Sequence, residues 1–384
     1  MTIYEALFFC IKSEIGSLNE NFDVHLSYDD FEKLYELAEH HDLSHIVGNA
    51  LLKSDTLPPD SDLYKKLQKK IMLAHYRFEK LNYDFQQITK LLEKEQIKFI
   101  PLKGAVIRKL YPEPWLRTSC DVDILIEKQN LEKVTELLLN AGLKKGKESP
   151  HDITFWTQSG SNIEIHHSLI EDEKVNNIDF ILNQVWERTT PHKDSSYWYD
   201  MSDEMFYFYH IAHMAKHLLF GGCGIKSFID LWLLDNMEGA DLTKRNDLLK
   251  QGNLLLFTQK ARKLSGVWFE NSETDSTTKQ LEEYILSGGV YGTDKNRITI
   301  QQQKNGGRIK YIISKIFLPY SQLKFQYPIL QKHRWLTPII EVVRWFGLVF
   351  GGKAKQNMKE LKSVRDISVT ESTNPEDFLK NIGL

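Results

Sequence analysis

The segment Asp121-Val122-Asp123-Ile124-Leu125-Ile126 constrains this chain more than any other. Its composition is that of a strand, and side chains alternate faces along a strand. Asp121 and Asp123 therefore project side by side while Val122 points the other way into a core. Two carboxylates this close repel unless one is protonated or a cation sits between them. Mg²⁺ is the natural cation, because it takes oxygen ligands and commonly one or two carboxylates together with substrate phosphates. A pair of acids at a solvated strand end has the same pattern, so the neighbouring sequence has to decide.

Upstream, Ile97 to Leu102 is an apolar run that ends in Lys103-Gly104, a strand entering a turn. Ala105 to Tyr111 reads as a brief helix stopped by Pro112 and Pro114. Downstream, Asn130 to Asn140 is an amphipathic helix with Gly142 as its C′ residue. Ile153 to Thr157 and Ile163 to His167 form a hairpin across a loop of about five residues. Glu164, flanked by Ile163 and Ile165, shares a face with His166. If its strand lies beside the Asp121 strand, Glu164 completes a cluster of three carboxylates. A glycine opening a helix after a strand also offers backbone N–H groups to a phosphate.

These residues resemble the nucleotidyltransferase superfamily with its polymerase-β-like fold, and in particular a bacterial group of uncharacterised family-5 nucleotidyltransferases. Ile100 to Ala105 matches the first strand and turn, Asp121-Val122-Asp123 the paired acids, and Glu164 the third acid. The Lys-Gly turn, Arg117 ahead of the acids and Glu-Ile-His after the hairpin fit the group. The resemblance implies transfer of a nucleoside monophosphate from a nucleoside triphosphate to an acceptor hydroxyl. It implies Mg²⁺, with Mn²⁺ as the other candidate, held by Asp121, Asp123 and Glu164, which are also the catalytic residues. Lys103, Gly104, Arg117 and Lys216 are the expected triphosphate contacts. The acceptor is a small molecule such as a sugar, a protein side chain or an RNA end. Ala105 stands where many members carry Ser. That departure favours the alternative, a catalytically inactive member of the fold with a binding or regulatory role.

The expected fold class is α+β, a small mixed sheet embedded between helical regions. The boundaries are 1–95 for an N-terminal helical region, 96–190 for the α/β core and 191–384 for a C-terminal helical domain. Ser27 to Asp30 fits a capping box, and a long charged helix runs from about Leu63 to Glu95. Met205 to about Phe220 is a further helix. It carries His210, His213, Lys216 and His217 on one face, expected to line the cleft opposite the sheet. His213 and His217 also match helical zinc spacing, which leaves a zinc hydrolase as a third reading, though no third ligand is evident. Gly221 to Gly224 is a flexible break, and residues 270–310 read as loops between helices. His40, His41 and His45 are expected to be solvated or capping, and Lys144 to Lys147 a basic loop. Arg334 to Leu336 and Trp345-Phe346 are expected to be buried packing rather than a membrane-surface or partner helix.

With 384 residues, 41% hydrophobic and 26% charged, the chain is excluded from the disordered and fibrous classes. Lys and Arg number 49 against 52 Asp and Glu, a net charge of −3, which leaves no global attraction for nucleic acid or anionic membrane. Three isolated cysteines suit a reducing, cytoplasmic setting. Glu5 interrupts the apolar N-terminus, which reads as a helix rather than a signal peptide. Trp335 to Gly352 contains Pro338, Glu341 and Arg344, too charged for stable membrane insertion.

Overall fold

The structure, a computed structural model, describes residues 1–18, 22–54, 57–170, 177–290, 292, 310, 317–350 and 375–384. Four helices come first. Helix α1 (Ile3–Ile15) starts with a capping box between Thr2 and Glu5. Helix α2 (Tyr28–His40) starts at Ser27, whose hydroxyl accepts the Asp30 N–H at 3.2 Å. After α3 (Ser44–Lys53) and a proline-containing turn comes α4 (Asp62–Lys94), 33 residues long. Gly48 is what lets α3 approach α4 closely, since a Cβ there would meet Leu67 at 3.2 Å. His41 and His45 are buried at the α2–α3 corner, not solvated. Their Nε2 atoms hydrogen-bond the carbonyls of Leu286 at 3.2 Å and Leu116 at 2.8 Å, which offsets part of the cost of their burial.

The central sheet has five strands, β1 (Phe99–Pro101), β2 (Asp121–Ile126), β3 (Lys144–Glu148), β4 (Asp152–Trp156) and β5 (Asn162–His166). Their spatial order is β1-β2-β5-β4-β3; the β2–β5 pair is parallel and the others antiparallel, so the sheet is mixed. Val122, Ile124, Ile153, Phe155, Ile163 and Ile165 form its buried face. Ile88 and Leu92 of α4 and Val134 and Leu138 of α6 (Leu131–Asn140) cover that face. Gly142 follows α6 with φ +87°, the left-handed turn expected at that position. Lys144 to Lys147 belong to edge strand β3 rather than a loop. The strand is exposed along its length, and its lysines blunt an edge that would otherwise pair with another chain.

A two-stranded ribbon, β6 (Thr189–Pro191) with β7 (Tyr199–Met201), leans on β1 through a Phe99–Trp198 bridge. The remaining helices begin with α7 (Ile178–Leu182), α8 (Asp203–Leu219) and α9 (Ile225–Asp235). They continue with α10 (Leu242–Gln251), α11 (Leu255–Glu270) and α12 (Ser276–Gly288). The N- and C-terminal helices share one continuous hydrophobic core, sealed where Phe8 of α1 stacks on Trp268 of α11 at 4.7 Å. Gly221 to Gly224, read from sequence as a flexible break, is a buried corner between α8 and α9. Residues 276–288, expected to be loop, are helical, and 293–309 lie outside the described residues, as do 351–374. Trp335 and Phe346, expected in the core, are 72% and 62% exposed. None of the helices among the described residues is long and apolar enough to cross a membrane.

Candidate active site

The parallel pairing of β2 with β5 builds the site. Its register sets Asp121 opposite Asn162, Asp123 opposite Glu164 and Leu125 opposite His166. All six side chains share the face turned away from α4 and α6. Asp123, Glu164 and His166 form the tight group, with ligand atoms within 4.8 Å of one another. His166 Nε2 lies 3.0 Å from Asp123 Oδ1 and 3.7 Å from Glu164 Oε2, and Asn162 donates to Glu164 Oε1 at 3.0 Å. Asp121 sits two residues along the same strand face and is not part of that group. His166 was absent from the residues expected at the site, although its place two residues after Glu164 is the signal that points to it.

The cluster is short of positive charge, and its protonation equilibria reflect that. Burial pushes the Glu164 carboxyl up to about 7, reinforced by the charges of Asp123 and Asp121. Burial and the neighbouring Asp123 also raise Asp121 above the usual carboxylate range, against the pull of Lys103 and Arg117. For Asp123 burial acts upward too. The Lys103 charge and the His166 hydrogen bond outweigh it and hold this carboxylate below the usual range. Two carboxylates and one imidazole nitrogen make a donor set that fits a small divalent ion. The oxygens suit Mg²⁺, and the nitrogen extends the fit to Mn²⁺.

A cavity of about 230 Å³ opens beside the cluster, between the sheet and α8. Lys103, His151 and His166 line it on the sheet side and His213 and Lys216 on the helix side. Leu169, Ile178, Leu182, Tyr209 and Phe220 give it an apolar wall. Lys103 reaches this position from the turn after β1, where its backbone has φ +35° and ψ −111°. Gly104 opens α5 (Gly104–Ile107), a single turn. The N–H groups of Ala105, Val106 and Ile107 are already donated to the carbonyls of Leu102 and Lys103 at 2.9–3.2 Å. Positive charge at this cavity therefore comes from lysine side chains more than from turn amides.

Arg117 directs its guanidinium to Asp230 of α9, Nη2 to Oδ2 at 2.8 Å and Nε to both carboxylate oxygens at 3.2 Å, and Nη1 donates to the Thr118 carbonyl at 3.1 Å. Tyr111 donates to the same carboxylate at 2.7 Å. This buried network ties the segment before β2 to α9. Lys226 adds a second tie, donating to Asp42 at 2.7 Å and to the Thr118 hydroxyl at 2.9 Å. His210 is buried with Nε2 on the Ser227 carbonyl at 3.1 Å. His213 and His217 hydrogen-bond each other, Nε2 to Nε2, at 2.8 Å. Burial, Lys103 and His217 drive His213 well below the ordinary imidazole range, so it is neutral near pH 7. Among the described residues no third ligand joins this histidine pair in a metal-binding group.

A protein-family model described as an uncharacterised nucleotidyltransferase matches residues 27–270. That stretch runs from the cap of α2 to the end of α11 and contains the whole cluster and the cavity wall from α8. No curated protein and no solved structure matches the chain.

Proposed function

The chain belongs to the uncharacterised nucleotidyltransferase family, and from that premise we propose that it moves a nucleoside monophosphate from a nucleoside triphosphate to an acceptor hydroxyl. The observation that supports this most is that His166 belongs both to the cluster with Asp123 and Glu164 and to the lining of the cavity that Lys103 and Lys216 also border. Asp123 and Glu164 would hold the divalent ion, with His166 as a third ligand and Asp121 adding charge beside it. Bound there, the ion would neutralise charge that builds on the transferring phosphoryl group.

The residues of the chain do the remainder. Lys103, from the turn after β1, and Lys216, from α8, both line the cavity and bind triphosphate oxygens as point charges. Glu164, ionised once the ion is bound, accepts the acceptor's proton on its other carboxylate oxygen as the new bond to the α-phosphorus forms and the bond to the departing pyrophosphate breaks. Gly104 shapes the turn that delivers Lys103. Arg117, engaged with Asp230, acts as a positioning residue for the loop leading into β2. The apolar wall takes the uncharged part of a ligand and excludes water from the reacting centre.

Pyrophosphate release from labelled nucleoside triphosphates, with Mg²⁺ or Mn²⁺ and candidate acceptors, tests this reading. Turnover that disappears in Asp123→Asn and Glu164→Gln supports it. A second reading, a binding protein that has lost transfer, is favoured by Ala105 and by the committed amides of residues 105–107. Ion-dependent triphosphate binding with no pyrophosphate release from any acceptor selects that reading.

A further inference from the structure

We propose that the outer face of the helix Thr337–Phe350, with Trp335 ahead of it, docks on an anionic lipid bilayer. Ile339, Val342, Val343 and Phe346 recur at spacings of three and four and so occupy one face. They are 54%, 43%, 54% and 62% exposed. Glu341 and Arg344 lie on the opposite face and are buried. There Arg344 Nε donates to Glu341 at 2.8 Å, and Glu341 accepts the Leu318 N–H at 2.8 Å. The helix thus turns its ion pair inward and its hydrocarbon outward, the reverse of an ordinary surface helix. Both halves of that arrangement cost free energy in water, and entry of the outer face into an apolar phase offsets the cost.

Charge identifies the phase. The described residues 317–340, which lead into the helix, hold Lys324, Lys332 and Arg334 and not one Asp or Glu, in a chain whose net charge is −3. Lys332 and Arg334 are exposed beside Trp335, the pairing of cation and amphipathic aromatic suited to a headgroup layer. A polyanion such as RNA would use the cations but not the aliphatic side chains, which offer neither hydrogen bonds nor a stacking plane. Acyl chains use both. Fourteen residues are too few to span, so the helix lies on the surface. Gln322, on the adjoining helix Tyr320–Gln326, borders the candidate active-site cavity, so docking would bring that rim towards the bilayer.

The test is flotation of the full chain with vesicles of phosphatidylcholine alone, or with about a third phosphatidylglycerol. The chain should float with the anionic vesicles and lose most of that binding in high salt. Ile339→Ser with Val343→Ser should cut the bound fraction roughly tenfold while leaving the unfolding temperature in place. Should the double variant unfold, quenching of Trp335 by brominated lipid, read as the difference between wild type and Trp335→Phe, decides the same question. Absence of flotation overturns the proposal, as does flotation that survives the double substitution. A concentration-dependent dimer abolished by the same substitutions also overturns it, as does displacement from vesicles by an RNA homopolymer.

Discussion

Lys103 carries a conformation that glycine adopts freely and other residues rarely do, with φ +35° and ψ −111°. The Leu102 N–H on the Asp123 carbonyl at 3.0 Å and the Ile107 N–H on the Lys103 carbonyl at 2.9 Å hold it there. Strain of this kind costs about 1–3 kcal/mol and concentrates at functional sites. Lys103→Gly should therefore be more stable than Lys103→Ala by about 1 kcal/mol in chemical denaturation, while both lose triphosphate affinity. Equal stability of the two variants would show that the backbone is relaxed. Glu164 supplies a pH dependence. With its carboxyl raised from 4.5 to about 7, its protonation stabilises the ion-free fold fully below pH 4.5, and that contribution is lost as pH rises through about 7. An ion has to displace that proton, so the rise in melting temperature on adding Mg²⁺ should grow between pH 5.5 and 8 as roughly one proton ceases to be displaced. A shift independent of pH would place the ion elsewhere. The sequence announced the acids but not their ranking. Whether Asp121 or Asp123 meets Glu164 is a matter of register between β2 and β5, which alternation alone leaves open by two residues.

At the scale of elements, the strands that bury a face were readable and those that do not were hidden. The β4–β5 hairpin and β2 showed in alternation of Ile, Phe and Val with polar residues. Strand β3, all exposed, has no apolar side to betray it, and β6 and β7 are three residues each, too short for a period to register. The same limit explains the misread C-terminal helix. Amphipathic spacing reveals that a helix has an apolar face, not which way that face turns. Ties between elements were equally invisible, since Arg117 and Asp230 are 113 residues apart. Asp230 lies at the centre of that tie, held below the usual carboxylate range by Arg117 against the upward effect of burial. Asp230→Ala should destabilise the fold by about 3–5 kcal/mol, because Arg117 is left buried without its anion. Mg²⁺ should not restore the loss. A change under about 1 kcal/mol in urea denaturation would mean the pair is exposed to water in solution.

For the whole molecule, the helical regions serve to hold a small sheet against α8. Lys103 comes from the turn after β1, His166 from β5 beside the acids, and His213 and Lys216 from α8, so the cavity exists only when three distant stretches are folded together. The shared core of N- and C-terminal helices supplies that rigidity. Lysines from the turn after β1 and from α8 would join the Asp123, Glu164 and His166 cluster in one ligand site. Titration calorimetry with a non-hydrolysable nucleoside triphosphate addresses it most directly, run on wild type and Asp123→Asn with and without Mg²⁺. Binding should require the ion and weaken by roughly tenfold or more in the variant. Equal affinity without the ion, or an unchanged affinity in Asp123→Asn, would contradict it.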